Sequence, residues 1–306
     1  MRQRTHVITL MIMCALFLCF SGCSDDDDST TGPVTTRMDG QQAASMISAN
    51  LTEFGMTAVV SALSGAIGNF KGYEPPNLDD YTGDGFAKAV APTDTTWYKY
   101  QNGWHIFYAD ETVVSEYEGT VQTFDFVVSD SAQLKEDGVA MPDPSDPDYV
   151  DYRSHVDGSY TMNDGTSTST LDGDFYQRTL VELITNNDLR LNISELIDMD
   201  ISGTFDDQTG SSSYVYEINA SNIIFNESDS YQCPVSGTIA FSIDLSMTDQ
   251  SGTMVASATA TLTISSGGYV SGTVTAEGET VNFTYYGLCA DIDASQMSPN
   301  PFVNLF

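Results

Sequence analysis

Cys23, Cys233 and Cys289, two acidic loops and one aromatic hairpin carry most of the chemistry that this sequence can offer. Cys14 and Cys19 lie inside an N-terminal apolar run and Cys23 just after it, so Cys233 and Cys289 remain as a pair. In an exported chain such an even remainder reads as one disulfide. In the chain-entropy model it would stabilise the fold by about 4 kcal/mol. No clustered histidines accompany the pair, which makes a zinc site the poorer alternative. Asp143, Asp146, Asp148 and Asp151 form one acidic loop, and Asp79, Asp80 and Asp84 another. Hard oxygen ligands at short spacing suit Ca²⁺, although neither loop matches the EF-hand pattern. Calcium on the 143–151 loop is the one cofactor the sequence suggests. The segment WYKYQNGWHIFY places Trp97, Tyr100, Trp104 and Tyr108 where rings could stack on a ligand such as a sugar, with two-sided core packing as the competing use.

Motifs for catalysis are missing. His105 and His155 each fall in a predicted strand, outside any Gly-x-Ser-x-Gly or His-Glu-x-x-His context. The glycines sit in strands and turns, so no phosphate loop or dinucleotide fingerprint forms. A glycosidase pair needs two carboxylates about 5–9.5 Å apart, and 43 acidic residues leave such a pair without a signature. We therefore assign no catalytic residue and read the chain as non-catalytic. The formal net charge of −33 repels nucleic acid and anionic headgroups. It favours solubility, or attraction of cations and basic proteins.

The N-terminus has its own pattern. Arg2 and Arg4 precede the apolar run Val7–Phe20, and Ser21 and Gly22 lead to Cys23. A basic start, an apolar centre and a small-residue cleavage site define a signal peptide, residues 1–22. The run falls short of the roughly 20 residues that a membrane-spanning helix needs. Phe20-Ser21-Gly22-Cys23 resembles the lipobox of bacterial lipoproteins, with Phe20 where Leu is usual; cleavage without a lipid is the alternative. The resemblance implies that Cys23 carries diacylglycerol and anchors the protein to a membrane. Ser24 and Asp25–Asp28 are similar to the acidic export signal of Bacteroidetes surface lipoproteins, the other use of such a run being a solvated spacer. Ser24 after the cysteine also matches lipoproteins sent to the outer membrane. Lipid attachment to the bacterial envelope is implied, the outer membrane favoured, facing the periplasm or the cell surface.

Residues 23–38 read as a lipidated cysteine followed by an acidic polar tether. The remainder, 39–306, reads as a single β-rich domain, with a subdivision near residue 206 as the alternative. Asp39 caps a helix over 41–68, with Gln42 as its reciprocal partner. Its second half, including Val60, Leu63 and Ile67, is apolar nearly all round, which predicts burial. Asn102-Gly103 between aromatic runs is a strong hairpin signal. That register puts Trp97, Lys99, Trp104, Ile106 and Tyr108 on one face and Tyr98, Tyr100, His105 and Phe107 on the other. Further strands are predicted at 113–117, 121–128, 152–162, 171–184, 189–205, 213–225, 235–247, 253–265, 269–276 and 280–288. An apolar-x-Gly-x-apolar pattern recurs at glycines 119, 158, 173, 203, 237 and 272, which suits long strands that bend or bulge.

The expected fold is mainly β: a large curved antiparallel meander, sandwich-like or an open barrel, packed on the one N-terminal helix. Val60, Leu63 and Ile67 are expected to meet Ile239, Phe241 and Ile243. Helix-then-meander order is loosely similar to that of periplasmic lipoprotein carriers. The expected function is a binding or structural module of the envelope for a glycan, protein or apolar ligand. The alternatives are a hydrophobic-ligand carrier with a cavity between helix and sheet, or a hydrolase using acidic residues.

Overall fold

The computed structural model describes residues 34–37, 44–45, 48, 95–117, 120–142, 147–163, 165–184, 188–205, 208–226, 233–249, 252–286 and 288. They contain β1 (Val34–Arg37), β2 (Thr95–Gln101), β3 (Trp104–Tyr117), β4 (Thr120–Glu136) and β5 (Val139–Ala140). The chain continues through β6 (Tyr149–Asn163), β7 (Thr168–Leu183), β8 (Leu189–Phe205) and β9 (Gln208–Phe225). It ends in β10 (Pro234–Asp249), β11 (Gly252–Ser265), β12 (Tyr269–Ala276) and β13 (Glu279–Tyr285). All belong to one sheet, ordered β13-β12-β11-β10-β9-β8-β7-β6-β4-β3-β2. β5 pairs with β4 off this path. Neighbours along the path are antiparallel, and β2 and β13 end it unpaired with one another, so the sheet is an open meander.

Turn chemistry explains the meander. Asn102 and Gly103 both have positive φ, 56° and 83°, as a type I′ hairpin turn demands, and Asp137-Gly138 and Glu277-Gly278 repeat the device. Register holds without a slip from β2 to β8. It shifts at Leu191/Ile193, where Asn222 on β9 takes a φ of 51° and its N–H donates to Asn192 Oδ1 at 2.8 Å. Two of the recurring glycines have a visible purpose. Gly237 sits in the irregular start of β10, where a Cβ would strike Ile223. On Gly272 a Cβ would meet the Thr261 carbonyl, so β12 can lie close to β11 only without a side chain there.

One row across the sheet shows why one face is buried. Ala109, Val128, Val156, Phe175, Ile197, Tyr216, Ile243, Ala258 and Ala276 stand opposite one another on successive strands. Each is buried or half-buried, as period-2 alternation requires. The main core is centred on β8 to β12, with Leu191, Ile223, Ile239, Leu262 and Val274 fully buried. Leu288, beyond β13, is fully buried in the same cluster. Ala44 packs against Ala258 and Ala276. The remainder of the expected helix, including Val60, Leu63 and Ile67, lies outside the described residues.

Two expectations need correction in detail. The tether read over 23–38 does not stay a coil to its end, because Val34–Arg37 pairs in parallel with Gly252–Val255 of β11. β12 covers β11 only from Ala258 onward, which leaves that edge open, and Val34, Thr35 and Thr36 are β-branched residues suited to it. The strands read separately at 104–108 and 113–117 are one continuous β3. Residues 206 and 207 lie between β8 and β9, which pair along their length within the one sheet.

Candidate functional site

The other face of the sheet is polar, and chemistry gathers on it over β2 to β8. One row holds Trp97, Tyr108, Ser129, His155, Tyr176 and Leu196 on six neighbouring strands. Trp97 stacks on Tyr108 with centroids 5.5 Å apart. His155 lies flat against Tyr176, 4.1 Å apart and 8° from parallel, and its Nε2 is 3.0 Å from Asp174 Oδ1. Two residues along each strand, the next row holds Lys99, Ile106, Ser131, Arg153, Arg178 and Ser194.

Arg153 and Arg178 face each other across β6 and β7, where like charges would repel. Asp151 resolves the conflict. Its carboxylate accepts Arg178 Nε at 3.0 Å and NH2 at 2.9 Å, and Arg153 Nε at 3.4 Å and NH2 at 2.9 Å. The Asp151 side chain is only 2% exposed, while both arginine side chains are about half exposed. Burial pushes the Asp151 carboxyl up, but the guanidiniums of Arg178 and Arg153 outweigh it and hold the group below its usual range. Arg153 also covers the Trp104 ring at 4.6 Å, and Lys99 covers Trp97 at 4.9 Å. Between the His155–Tyr176 stack and the arginine pair runs a trough of about 280 Å³, reaching Ser129 at one end and Ser194 at the other.

The sequence reading found part of this. Trp97, Trp104 and Tyr108 share the polar face. Tyr100 does not join them: it is placed opposite His105 on the other face and tilts against that ring at 4.9 Å, because the hairpin register alternates sides. Asp151 lies in β6 and binds arginines, and Asp148 Oδ1 is buried without a hydrogen bond. Asp143, Asp146, Asp79, Asp80 and Asp84 lie outside the described residues, as do Cys23 and Cys289. Among the described residues no group of three or more His, Cys, Asp or Glu is arranged to hold a metal, and no helix is long and apolar enough to cross a membrane. Cys233 immediately precedes β10. Arg153, His155, Tyr176 and Arg178 were missed as a group. The available signal was the i, i+2 pairs Arg153/His155 and Tyr176/Arg178 in two adjacent predicted strands.

The apolar face carries an unexpected polar row. Asp130, Ser154, Gln177 and Glu195 stand opposite one another on β4, β6, β7 and β8. Burial raises Glu195 to about 7. It raises Asp130 to about 6, against the lowering pull of the Ser154 and Tyr152 hydroxyls; neither Asp130 oxygen reaches a well-formed hydrogen bond. Three strand spacings put Asp130 and Glu195 about 14 Å apart, beyond the ~5–9.5 Å of a glycosidase pair. On the same face Tyr98 Oη and His105 Nδ1 lie 2.6 Å apart. Comparison with protein families, with curated proteins and with solved structures finds no significant match.

Proposed function

We propose that the chain is a non-catalytic, lipid-anchored binding module of the bacterial envelope, with its ligand platform on the polar face of β2 to β8. The trough between the His155–Tyr176 stack and the Arg153–Arg178 pair is the observation that carries this reading. Aromatic rings and half-free guanidiniums held on rigid strands, with their charge anchored by a buried Asp151, form a prepared surface. No backbone group is available there, since the ladder uses them all, so recognition falls to side chains. Cys23 fastens the domain to the outer membrane, and the tether, as far as β1, holds it clear.

The remaining elements stabilise the platform. The 41–68 helix covers the apolar face, a reading supported by Ala44 against Ala258 and Ala276. Cys233 pairs with Cys289. β10 begins and β13 ends at the same end of the strands, and Leu288, the neighbour of Cys289 in sequence, is fully buried in the main core. The test of function is a glycan array probed with the mature protein and with Tyr176→Ala. Array ligands captured by the first and lost by the second support the platform. Capture unaffected by Tyr176→Ala, or a ligand that enters the apolar face instead, overturns it in favour of a carrier.

A further inference from the structure

The polar face is divided along its strands. The five Lys and Arg residues of β2 to β8 all lie on it, to one side of the aromatic row. Lys99, Arg153 and Arg178 occupy the adjacent row, while Lys135 and Arg190 lie farther out, in a row with Tyr149 and Glu182. On the opposite side of the aromatic row the charge reverses. Asp110, Asp157, Asp174 and Asp198 share the next row, and Asp125, Asp172 and Asp200 the one after. Asp157, Asp174 and Asp198 are directly opposite one another on three neighbouring strands. Such like-charge neighbours weaken a sheet. Aromatic rings therefore separate a cationic half-face from an anionic one, with rows about 6.8 Å apart.

A ligand seated in the trough lies against the arginine pair and the stack, and one that extends over the His155–Tyr176 rings also reaches the first aspartate row. On one side are guanidinium donors: each spends two N–H groups on Asp151 and has others to spare on a half-exposed side chain, which suits a carboxylate. Along the middle are the edges of His155 and Tyr176. On the other side Asp174 and its neighbours present carboxylate oxygens, which accept hydrogen bonds and offer no donor. A densely charged polyanion is repelled by the aspartates, and a basic peptide by the arginines. A chain of hydroxyl-rich rings carrying isolated carboxylates fits both halves. From β4 to β8 the trough spans three strand spacings, about 14 Å, which admits a short oligosaccharide.

We infer that the trough binds uronate-bearing saccharides, the uronate carboxylate on Arg153 and Arg178 and the ring hydroxyls toward the aspartate rows. This inference rests on the platform reading above. Trp97 and Trp104 are the chain's two tryptophans, and both belong to this face, so intrinsic fluorescence reports on it directly. The mature protein is titrated with two oligosaccharides of neutral rings that each carry a single uronate, one on a xylose and one on a galactose backbone, with the methyl ester of each and with an acidic peptide. At least one free uronate should bind ten-fold or more tighter than the ester, and more weakly as salt rises. Arg178→Gln should erase that preference, and so should Arg178→Lys, which keeps the charge and folds more safely but lacks the fork. Tyr176→Ala should weaken ester and acid alike. Equal binding of ester and acid overturns the uronate inference and leaves the platform standing. Binding of the peptide in place of both sugars overturns the saccharide class. No change in emission with any probe, or changes untouched by Tyr176→Ala, overturns the platform as well.

Discussion

Arg178 grips Asp151 through two near-parallel bonds of 3.0 and 2.9 Å, and it does so across the strand boundary between β7 and β6. Asp151 reads as an exposed loop acid in the sequence, yet it is 2% exposed and anchors the only face-to-face arginine pair among the described residues. Removing the carboxylate leaves Arg153 and Arg178 opposed without compensation. Asp151→Ala should cost about 1–3 kcal/mol, the usual range for a hydrogen-bonded charged group left unpaired. Arg178→Ala should cost less, because Arg153 still holds Asp151. Urea melts of both variants check the order; equal and negligible losses would show that the triad is ornamental.

Acidity acts on the two faces in opposite directions. Glu195 has a folded pKa of about 7, raised by burial, and Asp130 of about 6, so both are favoured neutral in the folded state. Their contribution is full below the ordinary carboxylate range and is lost as pH climbs through 6 and 7. Asp151, held low, contributes above its ordinary pKa and loses that contribution as pH falls through its folded value. Stability should therefore be greater at pH 5 than at pH 8, by on the order of 3 kcal/mol at most for Glu195 alone. Glu195→Gln should remove most of that slope. A wild-type melting temperature that rises from pH 5 to pH 8 contradicts the assignment.

Core truncation tests the sheet itself. Leu262 is fully buried between Ile239 on β10 and Gly272 on β12. Leu262→Ala should cost about 2–5 kcal/mol. Gly272→Ala should also destabilise, because the added methyl meets the Thr261 carbonyl. An unchanged melting midpoint for Gly272→Ala would mean that β11 and β12 lie farther apart than described.

Attachment is tested by Cys23→Ser. The wild type should partition with membranes, since two or three acyl chains hold where one binds only marginally. The variant should be released or remain unprocessed. A processed variant that still sediments fully with membranes rules out the lipid. On the same protein, non-reducing peptide mapping should recover Cys233 and Cys289 in one linked fragment; free thiols at both positions would exclude the bridge.

Much of the architecture was legible because it is local. Asn102-Gly103 and Glu277-Gly278 announce their turns, and alternation such as Ile239, Phe241 and Ile243 announces the strands they join. The candidate site was legible only in part, for a physical reason. Trp97 and Trp104 stand out by type, but Arg153, His155, Tyr176 and Arg178 become a site only through register between β6 and β7, which no single strand encodes. The same limit hid the row Asp130, Ser154, Gln177 and Glu195. Each of these interrupts the apolar pattern of its own strand, which reads as an irregularity until the strands are laid side by side. Val34–Arg37 was missed because its pairing depends on how far β12 extends along β11.

The central claim, that ligand is bound beside Arg153 and Arg178, is tested most directly by Trp97→Phe, which leaves Trp104, under the Arg153 guanidinium, as the sole tryptophan to be excited selectively over the tyrosines. Acrylamide quenching of Trp104 is measured with and without saturating ligand. Ligand should shield Trp104 and lower its quenching constant at least two-fold, and Arg153→Gln should abolish the shielding. Ligand that binds with unchanged affinity while Trp104 stays equally quenchable would place the binding site elsewhere and contradict the account.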